Sequence, residues 1–190
     1  MRRQIGTRRS KSRQSSSNSK IRSSATWDPA HTAEGQRARV APTQTQRVEG
    51  DAVLLATPVT VGTASSPTPH GNFTIYSKVA NRRRQSSPGA GYPMTYWMEF
   101  KPAYGLHWGF VKATPSTHGC VRMPIDSARK TFQLVRIGTP INIASNQPWD
   151  ATIGKSLPVL DDSNLPDPPM SYMLSSRVFA DASHGKLWKY

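Results

Sequence analysis

Cys120 is the only cysteine in the 190 residues, and it sits in the run Thr117-His118-Gly119-Cys120-Val121-Arg122-Met123-Pro124. A thiol attacks a carbonyl poorly until it becomes a thiolate, and a neighbouring imidazole is a common means of taking its proton. Two imidazoles are at hand. His118 lies two residues before the sulfur, and His107 thirteen before it, on a strand-like segment that a hairpin would return to the thiol. Gly119 removes a side chain beside the nucleophile, so that a backbone N–H can face an incoming carbonyl oxygen, as an oxyanion hole requires. The chemistry this pattern fits is acyl transfer through a thioester. A plainer reading stands beside it, since a single cysteine often packs as a small hydrophobe and a single histidine is often a satisfied structural group. No metal is expected: His107, His118 and Cys120 make three ligands with no carboxylate nearby.

Strands are needed to carry these groups. Val40, Val48, Val53, Leu54, Leu55, Val59 and Val61 arrive in short groups from about Arg37 onward, with Glu49-Gly50-Asp51 as a tight turn between two strands. Phe73, Ile75 and Val79 alternate as a further strand, the stretches 94–100 and 105–111 are strand-like, and Ile141 and Ile143 close the series. Residues 81–91, with three arginines, Pro and Gly, predict an exposed loop, in which Arg82–Arg84 are solvated or meet an acidic polymer. One helix is predicted after Pro124, with Asp126 as N-cap, Ala128, Phe132 and Val135 at helical spacing, and Gly138 and Pro140 as stop signals. The expected architecture is mainly β with one or two helices (α+β). It divides into a basic tail over 1–36, a catalytic domain over 37–145 and a C-terminal extension over 146–190.

Charge separates the tail from the rest. Twenty-five Lys+Arg against eleven Asp+Glu give +14, and eight of those cations fall in residues 1–26, which hold no acid. That segment has too few apolar side chains to offset chain entropy, so it is predicted to be disordered. It is an electrostatic footprint for a polyanion, whether nucleic acid, anionic lipid or acidic wall polymer. The longest apolar run, Ala52–Ala56, is five residues long, against about 20 for a membrane-spanning helix. No secretory signal is visible at the N-terminus. One cysteine excludes an intrachain disulfide framework.

The motif around Cys120 resembles the signature [S/T]-H-G-C-x-[R/N] of the L,D-transpeptidase (YkuD) catalytic domain. Further blocks follow in the family's order from about residue 40 to 144. Pro58-Val59-Thr60-Val61-Gly62 and Thr68-Pro69-His70-Gly71-Asn72-Phe73 are similar to its early strand and turn. Tyr92-Pro93-Met94-Thr95-Tyr96-Trp97-Met98-Glu99-Phe100 is similar to its "M-P-Y-W-M-x-F", Gly105-Leu106-His107 to its "G-I-H-G", and Gly138-Thr139-Pro140-Ile141 to its closing "G-T-P-V".

The resemblance implies a β-sandwich with Cys120 as nucleophile and His107 as proton acceptor and donor. It implies that Thr117, His118 and Gly119 form the loop that supports the oxyanion, and that Arg122 orders this loop or meets a substrate carboxylate. Met94, Tyr96, Trp97 and Trp108 are candidate substrate-binding residues, although aromatics on strands are as often core. Trp108 follows the histidine where the family prefers a small residue. The backbone carbonyl that would orient the imidazole survives that change, and altered access to the site is expected. The implied activity is transpeptidation on peptidoglycan stem peptides in the cell envelope, without metal or organic cofactor. With water as acceptor the same site is an L,D-carboxypeptidase. A non-enzymatic polyanion binder is the rival from another class, and no aromatic stacking platform supports it. In a papain-like hydrolase the Cys precedes its His, the reverse of the order here.

Overall fold

The computed structural model describes residues 53–186 apart from 88 and 149, together with the backbone of two short strands ahead of them. Those strands are β1 (Ile21–Ser24) and β2 (Thr43–Gln46), which form an antiparallel sheet with β3 (Leu55–Ala56). Strand β1 lies inside the basic tail. The remainder of residues 1–36, and the turn expected at Glu49-Gly50-Asp51, lie outside the described residues.

Four strands carry the site: β5 (Ser77–Arg83), β6 (Pro93–Lys101), β7 (Tyr104–Trp108) and β8 (Val121–Met123). They hydrogen-bond in that order, antiparallel except for the parallel β7–β8 pair. A two-stranded sheet joins β4 (Gly71–Thr74) to β9 (Pro140–Ile143). The stretch from Phe73 to Val79, expected as one strand, is thus two, separated at Ile75 and Tyr76. Strand β5 also runs through Arg82 and Arg83, where the sequence predicted loop.

Alternation sorts the two faces of the four-stranded sheet. Leu106, Trp108, Val121, Met123, Met98 and Phe100 enter one buried cluster with Val59, Ile75, Ile141 and Ile143. Gly105, His107 and Arg122 take the intervening positions. Midway along β6, Tyr96 adopts φ 59°, which interrupts the strict alternation of that strand. Its ring then packs against Phe132, with centroids 5.5 Å apart, and its hydroxyl donates to the Ala182 carbonyl at 3.3 Å.

Helix α1 (Ile125–Leu134) begins two residues earlier than expected, with Pro124 at the N-cap in place of Asp126. Asp126 lies in the first turn and pairs with Arg129 at 3.0 Å instead of capping. No cation stands in the helix's last turn. Lys78 of β5 serves its terminal carbonyls, donating to Phe132 O at 2.7 Å and Val135 O at 2.5 Å.

Two further short helices, α2 (Met170–Leu174) and α3 (Arg177–Ser183), lie in the C-terminal extension. Met173, Val178 and Ala182 belong to the same buried cluster as the sheet. Arg83 ties them on: its guanidinium donates to the carbonyls of Gly91 (2.7 Å), Met173 (2.7 Å) and Ser175 (2.9 Å) and lies over the Phe179 ring. The extension therefore completes the core. No helix among the described residues is long and apolar enough to cross a membrane.

Candidate active site

A parallel strand pair needs a crossover of about a dozen residues or more. Residues 109–120 are that crossover, and they account for the interval between His107 and Cys120. The return is thus a parallel crossover and not the hairpin expected from sequence. Its consequence is positional. Leu106 is opposite Val121 and His107 opposite Arg122, so Cys120, immediately before β8, is level with Gly105, two residues from His107 on the same face.

His107 is buried. Its Nδ1–H donates to the Trp108 carbonyl at 2.5 Å, which leaves Nε2 with its lone pair. The Trp97 ring lies against the imidazole, centroids 5.6 Å apart. Gly105 makes room for that ring, since a Cβ there would come within 2.8 Å of three of its atoms.

The loop that carries Cys120 is held by one hydroxyl. Thr117 Oγ1 donates to the Cys120 carbonyl at 2.6 Å and accepts the Gly119 N–H at 3.1 Å. Gly119 has φ 100°, and a Cβ there would stand 2.3 Å from the Tyr104 ring. The neighbouring segment braces the loop: Thr63 N–H donates to Thr117 O (3.0 Å), Thr117 N–H to Val61 O (3.1 Å), and Thr60 and Arg122 exchange backbone bonds at 3.0 and 2.9 Å. Beside the loop, Val61, Gly62, Thr63, Ala64, Pro67, Thr68 and His70 line a small, mainly apolar cavity of about 20 Å³. The Cys120 thiol is half-buried and donates to the Ala103 carbonyl at 3.8 Å.

Burial raises the Cys120 pKa, while the Gly105 backbone and the Arg122, Arg82 and Arg84 charges pull it down. Burial also lowers the His107 pKa, to about 3, with Arg122 adding to the effect and the Trp108 bond opposing it. Both directions favour the neutral form of each group.

The other sequence candidates disperse. His118 is exposed on the loop. Trp97 touches His107, whereas Tyr96 faces α1 and α3. Trp108 is buried and stacks on Tyr92 (6.3 Å, 3° between planes), so its side chain does not govern access. Met94 is half-buried opposite Arg82. Arg122 packs its stem against Gly109, and its Nε is buried without a partner. Arg82 is not a solvated loop residue: it covers the Trp97 ring at 4.3 Å and pairs with Glu99 at 3.1 Å. Glu99, Ala103 and Tyr104 also reach the site, and no local spacing marks them. Among the described residues no group of three metal-ligating side chains gathers.

The sequence model of the L,D-transpeptidase catalytic domain (YkuD) matches residues 36–143. No curated protein matches the chain. Solved structures share the fold. L,D-transpeptidase 1 of Mycobacterium tuberculosis is 24% identical, over 66% of this chain and 62% of that one, with a TM-score of 0.50. An L,D-transpeptidase from Mycobacterium smegmatis is 20% identical, over 66% and 58%, at 0.52. The LD transpeptidase LdtMt1 in complex with imipenem is 22% identical, over 66% and 59%, at 0.53. The chain thus spans 58–62% of the length of these proteins. A match over more than half of the chain, covering every strand that positions Cys120 and His107, places the chain in the YkuD family of L,D-transpeptidase catalytic domains.

Proposed function

We propose that this chain is a cysteine-dependent L,D-transpeptidase acting on peptidoglycan stem peptides at the cell wall. The observation that supports the reading is the β7–β8 register, which sets Cys120 one position before Val121 and so level with Gly105, two residues from a His107 whose Nδ1–H is already committed to Trp108 O. Nε2 of His107 takes the proton from Sγ as the sulfur attacks the carbonyl of the L-centre at position three of a stem tetrapeptide. The Gly119 N–H is engaged by Thr117, so the oxyanion falls to the flanking amides of His118 and Cys120. Such donors are each worth about 3–4 kcal/mol. His107 returns the proton to the departing D-amino acid, leaving a thioester on Sγ. The side-chain amine of a second stem attacks that thioester, His107 accepts the amine proton, and it passes that proton to Sγ as the C–S bond breaks, restoring the thiol and the neutral imidazole. Water in place of the amine gives a carboxypeptidase by the same steps. The basic tail offers contact with acidic wall polymer.

The test is incubation with defined disaccharide-tetrapeptides, read by mass. A cross-linked dimer identifies transpeptidation, and a tripeptide identifies hydrolysis. Unchanged tetrapeptide, with no thioester on Cys120, refutes the reading. A relative holds imipenem, so a one-to-one adduct of that compound on Cys120 is a second expected outcome.

A further inference from the structure

We propose that Glu99 is the positioning residue of this site, a single carboxylate that sets the base with one oxygen and the nucleophile's surroundings with the other. Glu99 faces Gly105 across the β6–β7 ladder. Its Oε2 accepts from Trp97 Nε1 at 3.2 Å and from Arg82 Nη1 at 3.1 Å. Those two bonds fix the Trp97 indole, which Arg82 also covers from above. That indole is the surface against which the His107 ring lies. The other oxygen, Oε1, accepts the Ala103 N–H at 3.0 Å. Ala103 holds φ 67° in the β6–β7 turn, a conformation that costs a residue with a Cβ and needs an external tie. Its carbonyl is the one that accepts the Cys120 thiol. Glu99 does not touch a substrate position, so it acts through Trp97 and Ala103. The carboxylate is well supplied for this: burial pushes its pKa up, but hydrogen bonds from Ala103, Trp97, Arg82 and Tyr76 outweigh burial and keep it ionised.

The kinetic consequence rests on the transpeptidase reading, but the geometric one does not. Two readouts on the full chain separate them. The first is the 15N chemical shifts of the His107 ring. The wild-type protein is expected to show a single Nδ1–H tautomer, Glu99→Ala an averaged signal, and Glu99→Gln, whose carbonyl still accepts from Trp97 and Arg82, a pattern nearer to wild type. The second is turnover of disaccharide-tetrapeptide. Glu99→Ala is expected to lower kcat by roughly 10- to 100-fold with KM little changed, and Glu99→Gln to lower it less. If Glu99→Ala does not fold, Glu99→Gln decides, through a smaller loss of kcat and a partial shift change. Wild-type His107 shifts in a folded variant overturn the proposal, as does a rise in KM alone. If the wild-type chain turns nothing over, the function reading fails, and the 15N shifts alone decide the role of Glu99.

Discussion

A buried imidazole whose Nδ1–H is committed to a backbone carbonyl has one nitrogen left for a proton, and in this site burial and Arg122 both resist its protonation. In the proposed mechanism the proton of Cys120 therefore moves as the carbonyl is attacked, not before. Alkylation of Cys120 by iodoacetamide, followed by mass against pH, is expected to climb above the usual thiol value of about 8.5 with no plateau near neutrality. A plateau at pH 6–7 would show a standing ion pair. Arg122 lowers the Cys120 pKa, so Arg122→Gln should move the alkylation curve to still higher pH. Cys120→Ala should abolish every covalent adduct with tetrapeptide or imipenem.

Two crowded glycines hold the nucleophile loop in place at the level of its elements. Gly119 combines φ 100° with a Tyr104 ring 2.3 Å from where a Cβ would stand. Gly62 would bring its Cβ to 2.1 Å from Ser66 O and 2.8 Å from Gly119 Cα. At Gly62 the crowding atoms are all backbone, so relief requires the backbone to move, and at Gly119 the positive φ strains any residue with a Cβ. Gly119→Ala and Gly62→Ala are each expected to cost about 1–3 kcal/mol, by strain and overpacking respectively, measured by urea unfolding. Acylation should fall further than stability does, since the displaced segment carries Cys120. Thr117→Val, nearly the same shape without the hydroxyl, should reproduce the acylation loss by removing the Gly119 and Cys120 carbonyl ties.

Across the whole molecule, the C-terminal extension and the catalytic sheet share one core, and Arg83 is the joint. Arg83→Met leaves three carbonyls without their charged donor. It is expected to cost about 1.5–3 kcal/mol, with Tm falling by roughly 2–4 °C per kcal/mol. Global stability should also carry the signature of His107. Its pKa is about 3 in the folded chain, below the ordinary value of 6.5. Between those values the unfolded chain binds a proton that the folded chain does not. Stability is thus fully present above pH 6.5 and falls as pH drops, by at most about 1.4 kcal/mol per pH unit. Below about pH 4.5, protonation of Glu99, whose folded pKa is lowered, removes stability as well. Urea unfolding between pH 6.5 and 4.5 should show the His107 slope in the wild-type chain and a shallower one in His107→Asn.

What could be read from the amino-acid order was what contiguous residues encode: a thiol in a Thr-His-Gly-Cys run, an upstream histidine, short alternating strands, and a helix closed by Gly138 and Pro140. Each of those features is a local pattern, even though His107 lies thirteen residues ahead of Cys120. The tertiary structure decided the rest. Whether β8 ran parallel or antiparallel to β7 was open until the sheet formed, because an interval of thirteen residues permits either. Glu99, Arg82 and Ala103 became site residues only through strand register, which brings together groups that no local pattern links. Tyr96 and Trp108 left the site because alternation and one positive φ turned them toward the core. The pKa directions also belong to the whole fold: burial raises that of Cys120 and lowers that of His107.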